Sequence, residues 1–152
     1  MAIRVYADTS VFGGVFDMGI DQASREFFEQ IGQGRFELVT SNVVADELVL
    51  APERVRLQFE TFLPSADLVV PSPQALALQQ AYLQAGIVTA KWATDALHVA
   101  LAAVSHCKII VSWNFKHIVH FDKIPLYNGV NLINGYDTLS INTPAEVITY
   151  ED

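Results

Sequence analysis

Short runs rich in β-branched and apolar residues alternate along this chain with segments of helical periodicity, and that alternation constrains its fold more than any other feature. The runs are Ile3 to Ala7, Phe36 to Thr40, Ala66 to Val70 and Lys108 to Ser112. Between the first two, Ala23, Phe27, Phe28 and Ile31 recur at helical spacing. Strands joined through helices pair in parallel, and a parallel sheet is covered on both sides. Ile109-Ile110-Val111 is a continuous apolar run, as a strand buried on both faces requires. Right-handed crossovers then place all strand carboxyl ends on one edge of the sheet.

The punctuation of the chain agrees with this reading. Val11 to Gly19 reads as loop or a short turn, broken by Gly13-Gly14 and Gly19. Asp21 is a suitable N-cap for the helix to Ile31, which Gly32 and Gly34 end. Ser41 or Asn42 caps a helix through Val43, Val44, Glu47, Leu48 and Leu50, and Pro52 opens another that Pro64 closes. Pro73 suits the first position of a helix running to about Ala85. From Trp92 to Ser105 comes the most apolar helix, whose alanines allow close approach to a sheet or a second subunit. Lys123 to Gly135, with its glycines and asparagines, reads as loop. Leu139 to Ile141 forms a final strand, and Thr143-Pro144-Ala145-Glu146 starts a capped last helix. No repeat, low-complexity tract or linker interrupts residues 1–152, so one domain is expected.

Composition narrows the function classes. With 51% hydrophobic and 17% charged residues, the chain is globular, with a large core or a buried oligomer face. The net charge of −8 counts against strong nonspecific binding to nucleic acid. It is compatible with a metal-dependent nuclease, because part of that charge can belong to the metal site. One cysteine, Cys107, permits no disulfide within the chain; it fits a reducing compartment and reads as a small buried hydrophobe. The first residues lack the pattern of a signal peptide, and no apolar run reaches the length of a membrane span. A cytoplasmic location, away from membranes, is expected.

The candidate site begins at Asp8. The strand at Ile3 to Ala7 runs out at a carboxylate followed by Thr9 and Ser10, whose hydroxyls can orient it. Ligands of open α/β sheets bind at the carboxyl ends of strands. Glu47 lies on the helix after the second strand, Asp95 opens the apolar helix, and Asn114 follows the fourth strand just after Ser112. Carboxylates inside apolar helices are costly unless partnered, and several brought together repel. A hard cation such as Mg²⁺ or Mn²⁺ relieves both problems through oxygen ligands. Asp8 is therefore expected to be the first ligand of a divalent-metal site.

These residues resemble a family. Asp8-Thr9-Ser10, Asp46-Glu47-Leu48, Asp95-Ala96-Leu97-His98-Val99-Ala100, Ser112-Trp113-Asn114-Phe115 and Asn142-Thr143-Pro144-Ala145-Glu146 together look like the PIN domain. The chain is most similar to stand-alone, VapC-like proteins of prokaryotes, many of them toxins of type II toxin–antitoxin pairs. The resemblance implies a three-layer α/β/α sandwich with a central, mainly parallel sheet. It implies an endoribonuclease that uses Mg²⁺ or Mn²⁺, acts on RNA, forms a homodimer and meets an antitoxin protein. Asp8, Glu47 and Asp95 match the three core acids, which the resemblance makes metal ligands and catalytic groups. Ser10 matches the hydroxyl supporting the first acid. Ser112 replaces a commoner threonine. Asn114 stands where many members carry a fourth acid; it can coordinate or position a water but cannot serve as a base.

A different class stays open: a PIN-like binding module with weak or no catalysis, favoured by the acidic charge and by Asn114. Three intact acids favour the nuclease. Dinucleotide and phosphate loops are absent from the sequence. His98 reads as a packed core histidine rather than a ligand, and His106, His117 and His120 lack zinc-like spacing with cysteine. Trp113 and Phe115 read as core before base-stacking groups. Arg25, Lys91 and Lys116 are candidate phosphate contacts on an otherwise solvated surface.

Overall fold

A computed structural model describes residues 1–149. Five strands, β1 (Ile3–Ala7), β2 (Phe36–Ser41), β3 (Asp67–Val69), β4 (Ile109–Val111) and β5 (Ser140–Asn142), form one sheet in the order β3-β2-β1-β4-β5. Every pairing is parallel, with Val5 opposite both Leu38 and Ile109. The chain first builds outward from β1 through β2 to β3. It then returns to the other side of β1 with β4 and continues to β5. The order therefore reverses between β1 and β4, and a crevice opens at the carboxyl ends of strands at such a switch point.

The helices are α1 (Thr9–Gly14), α2 (Asp21–Gly32), α3 (Asn42–Glu47), α4 (Glu53–Phe62), α5 (Pro73–Gln84), α6 (Ala93–Val104), α7 (Ile124–Ile133) and α8 (Pro144–Val147). Alternation along the strands divides the core in two. Tyr6, Val39 and Ile110 pack with α5, α6 and α7 on one face. Val5, Ala7, Leu38 and Val111 pack with Phe12, Phe27, Phe28, Val55 and Phe59 on the other. The result is the expected three-layer α/β/α sandwich. Helix α6 is buried from Ala96 to Ala103, and its alanines bring its backbone close to its neighbours. Cys107 is buried, as expected. No described helix is long and apolar enough to cross a membrane.

Two expected loops need correction. Residues 124–133, expected as loop, form α7. Their asparagines serve long-range bonds rather than turns. Asn131 is fully buried and accepts a hydrogen bond from the Tyr82 hydroxyl. Asn128 donates to the Leu139 carbonyl at 2.9 Å and accepts from the Leu139 amide at 2.7 Å. The glycine-rich stretch after Asp8, expected as loop or turn, begins as α1. There Gly14 serves close packing: a Cβ on it would lie 2.6 Å from Ser24 Oγ and 2.7 Å from Trp113 Nε1. The expected last helix has its capping box, Thr143 with Glu146.

Candidate active site

Asp8 leaves β1 and becomes the N-cap of α1. Its Oδ1 accepts from the Ser10 amide at 3.1 Å and the Ser10 hydroxyl at 2.6 Å. Its Oδ2 accepts from the Ser112 hydroxyl at 2.6 Å. Ser112 follows β4, so this bond spans the switch point. Both serines are themselves fixed: Ser10 Oγ accepts from the Trp113 amide at 2.8 Å, and Ser112 Oγ from the Asn114 amide at 2.9 Å. Asp8 is 4% exposed. Burial pushes its pKa above the ordinary carboxylate value, against the opposing pull of His98 and the two serine hydroxyls. No lysine or arginine forms an ion pair with Asp8 among the described residues.

Glu47 ends α3, whose N-cap is Ser41 at the end of β2. Its Oε1 accepts from Thr9 Oγ1 at 2.8 Å and lies 2.5 Å from His98 Nε2. The other ring nitrogen, His98 Nδ1, lies 2.7 Å from the Tyr6 hydroxyl, which is 2.7 Å from Ser41 Oγ. These contacts form a continuous hydrogen-bonded chain, Ser41–Tyr6–His98–Glu47, in which both ring nitrogens of His98 are engaged. Burial alone would raise the Glu47 pKa, but the bond and charge of His98 and the Thr9 hydroxyl outweigh it and hold it below the usual value. His98 is thus a buried core histidine that orients a carboxylate.

Asp95 lies in the first turn of α6. Its Oδ2 is 2.8 Å from His117 Nδ1. Asn114 places that histidine: its side-chain oxygen accepts from the amides of Lys116 at 3.2 Å and His117 at 2.9 Å, making a polar turn after β4. The His117 carbonyl accepts from the Tyr127 hydroxyl of α7 at 2.7 Å. Trp92 stacks on the His117 ring, with centroids 4.5 Å apart. Sequence reasoning overlooked Tyr6, His117 and Trp92. The available signals were a hydroxyl inside a buried strand and a histidine three residues after a turn-forming asparagine.

Trp113 is a core group: it donates from Nε1 to Ser24 Oγ at 2.9 Å and packs against the α2 side of the sheet. Arg25 donates to the Val15 carbonyl. A surface cavity of about 580 Å³ is lined by residues of the α2 region such as Gln22 and Glu26 and by Ile148 and Thr149, and none of the site residues lines it.

Among the described residues, no three histidine, cysteine, aspartate or glutamate side chains gather closely enough to enclose a metal ion together. Their donor chemistry nevertheless suits a hard cation. Asp8 is a buried carboxylate held by neutral donors, and the bonded oxygens of Glu47 and Asp95 are Oε1 and Oδ2, which leaves Oε2 and Oδ1 for a further ligand.

A family model described as the PIN domain matches residues 5–124. The chain belongs to the PIN domain family. PIN domains are generally nucleases. Solved PIN-like folds are similar across nearly the whole chain. VapBC2 from Rickettsia felis, bound to a DNA fragment from their promoter, is 16% identical with a TM-score of 0.59, covering 91% of this chain and 98% of that one. FitAcB from Neisseria gonorrhoeae is 13% identical with a TM-score of 0.57, covering 92% and 97%. At these identities the likeness concerns the fold. A search of curated proteins finds no match. In this PIN domain the first acid is tied across the switch point, and each of the other two is paired with a histidine.

Proposed function

We propose that this PIN domain is an endoribonuclease that hydrolyses RNA phosphodiester bonds with Mg²⁺ or Mn²⁺, and that it acts in the cytoplasm as the toxin of a toxin–antitoxin pair. The observation that carries the reading is Asp8: a buried carboxylate at the β1–β4 switch point, fixed by Ser10 and Ser112 and without an ion-pair partner among the described residues. Such a group is costly for folding, and function accounts for the cost. Asp8, Asp95 and Glu47 would hold the metal. A bound divalent ion supplies Lewis acidity for an attacking water and charge for the scissile phosphate. The chain's own part is positional. Ser10 and Ser112 fix both oxygens of Asp8, and the Ser41–Tyr6–His98 chain fixes Glu47, whose lowered pKa keeps it ionised. His117 fixes Asp95, and Asn114 fixes His117. Asn114 is a positioning residue, because its side-chain oxygen is engaged by the turn.

Two observations support the proposed protein partners. Likeness to VapBC2 supports an antitoxin partner. Exposed Leu126, Leu132 and Ile133 on α7 support a homodimer that covers them.

A second reading has its own observation. Glu47 and Asp95 are already engaged by histidines and the acids do not gather, which is what a binding module without catalysis requires. Cleavage separates the two. Purified protein is incubated with a panel of RNAs in Mn²⁺, in Mg²⁺ and in EDTA, beside Asp8→Asn and Asp95→Asn. The nuclease cuts only with metal, and either substitution lowers the rate at least about a hundredfold. Cutting that survives both substitutions contradicts the site. No cutting by the wild type supports the binding module.

A further inference from the structure

The acids of this site face a substrate of their own sign, and the charge of −8 gives no general attraction for it. One place at the site is different. Trp92, just before α6, is 36% exposed, and one of its contacts is the stack with His117, the partner of Asp95. The ammonium groups of Lys91 and Lys116 lie over the same indole, at 5.0 and 5.5 Å from its centroid. They come from segments far apart in sequence, one preceding α6 and the other following β4. Neither lysine forms an ion pair among the described residues, whereas Arg4 spends its charge on Glu37 and Asp67. Phe115, beside Lys116, is also exposed. An exposed aromatic ring with two unpaired cations is the chemistry that holds single-stranded nucleic acid: a base stacks on the ring and the cations take the adjoining phosphates.

We propose that Trp92, Lys91 and Lys116 form a stacking platform for an unpaired nucleotide, which sets a single strand beside Asp95. The lysines are flexible and exposed, so phosphates draw them off the ring as a base arrives. Because His117 joins the platform to Asp95, a base seated on Trp92 is held at a fixed distance from that carboxylate. A duplex keeps its bases stacked within itself and gains nothing from the ring. The platform deepens the nuclease reading and rests on it only for the claim that the strand held is the strand cut.

The test is binding of 5′-fluorescein-labelled oligouridylate and oligothymidylate 12-mers to the full chain in EDTA, read by fluorescence anisotropy, with a duplex of equal length as competitor. Trp92→Ala is expected to weaken binding about tenfold or more, while Trp92→Phe keeps most of it. Lys91→Gln with Lys116→Gln leaves the His117 packing alone. It is expected to weaken binding and to reduce the slope of log affinity against log salt by about 1.4, the value for two phosphate contacts on a single strand. The oligouridylate and oligothymidylate arms show whether the platform also distinguishes RNA from DNA. Absence of wild-type binding, equal competition by the duplex, or an unchanged salt slope in the double-lysine variant overturns the proposal. Cleavage is read separately in Mn²⁺. Binding lost in Trp92→Ala while the wild type never cuts leaves the platform standing without the nuclease. Cutting by a wild type whose binding ignores Trp92 does the reverse.

Discussion

At Asp8 the protein buries a carboxylate that, among the described residues, accepts hydrogen bonds from two hydroxyls and one amide, and the pKa values of Asp8 and Glu47 are shifted in opposite senses. Burial raises the folded pKa of Asp8 above its ordinary value near 4. Between those values the native protein holds a proton that the unfolded chain has lost, so stability falls as pH rises through the window. Above that window the charged Asp8 is therefore a cost in the metal-free protein. Asp8→Asn is expected to raise the metal-free Tm at pH 7 while abolishing cleavage. The gain should shrink as pH is lowered toward the range where Asp8 is protonated; a lower Tm would show that the charge is compensated. Glu47 behaves in the opposite way, because His98 and Thr9 outweigh its burial and lower its folded pKa. Its contribution is present above the ordinary value and is lost as pH falls through the folded one. Glu47→Gln should lower stability at pH 7 by less than about 1 kcal/mol, because the Glu47 side chain is 36% exposed and screened by solvent, and the deficit should disappear in acid. Thermal melts from pH 7 down to about pH 2 cover both windows and check both signs.

Among the elements, α1 and α7 were hardest to read from sequence, for related reasons. Gly13-Gly14 looks like a turn when only backbone preference is considered. The reason for Gly14 lies in residues far along the chain, Ser24 and Trp113, which leave no room for a Cβ. Gly14→Ala should cost about 1–3 kcal/mol by overpacking. Gly13 has open space, and Gly13→Ala should be neutral or stabilising by up to about 1 kcal/mol. Denaturant melts of the two variants compare them directly, and equal effects would contradict the packing. In α7, asparagine-rich composition suggests loop, yet Asn131 is the buried partner of Tyr82 and Asn128 ties the helix to Leu139. Asn131→Ala leaves the Tyr82 hydroxyl buried without that partner and should cost about 1–3 kcal/mol in urea unfolding. By contrast, β1, β2, α5 and α6 were legible, because apolar periodicity and Pro73 are local signals.

At the scale of the whole molecule, the reversal of strand order between β1 and β4 makes the site possible. It brings Asp8 and Ser112, 104 positions apart, to 2.6 Å. The sequence showed which residues end strands and which acids sit in apolar helices, so Asp8, Glu47 and Asp95 could be proposed as site residues from it, and the family resemblance added Ser112. It could not show that each helix acid has a histidine, because those pairs join residues 51 and 22 positions apart through the tertiary fold alone. The central claim is that these separate acids share one divalent ion. Mn²⁺ titration of the wild type and of Asp8→Asn, read as the shift in Tm, tests it most directly. The account predicts that Mn²⁺ at about a hundred times its Kd stabilises the wild type by about 2.7 kcal/mol and leaves Asp8→Asn unmoved. An equal shift in both proteins, or none in the wild type, would contradict it.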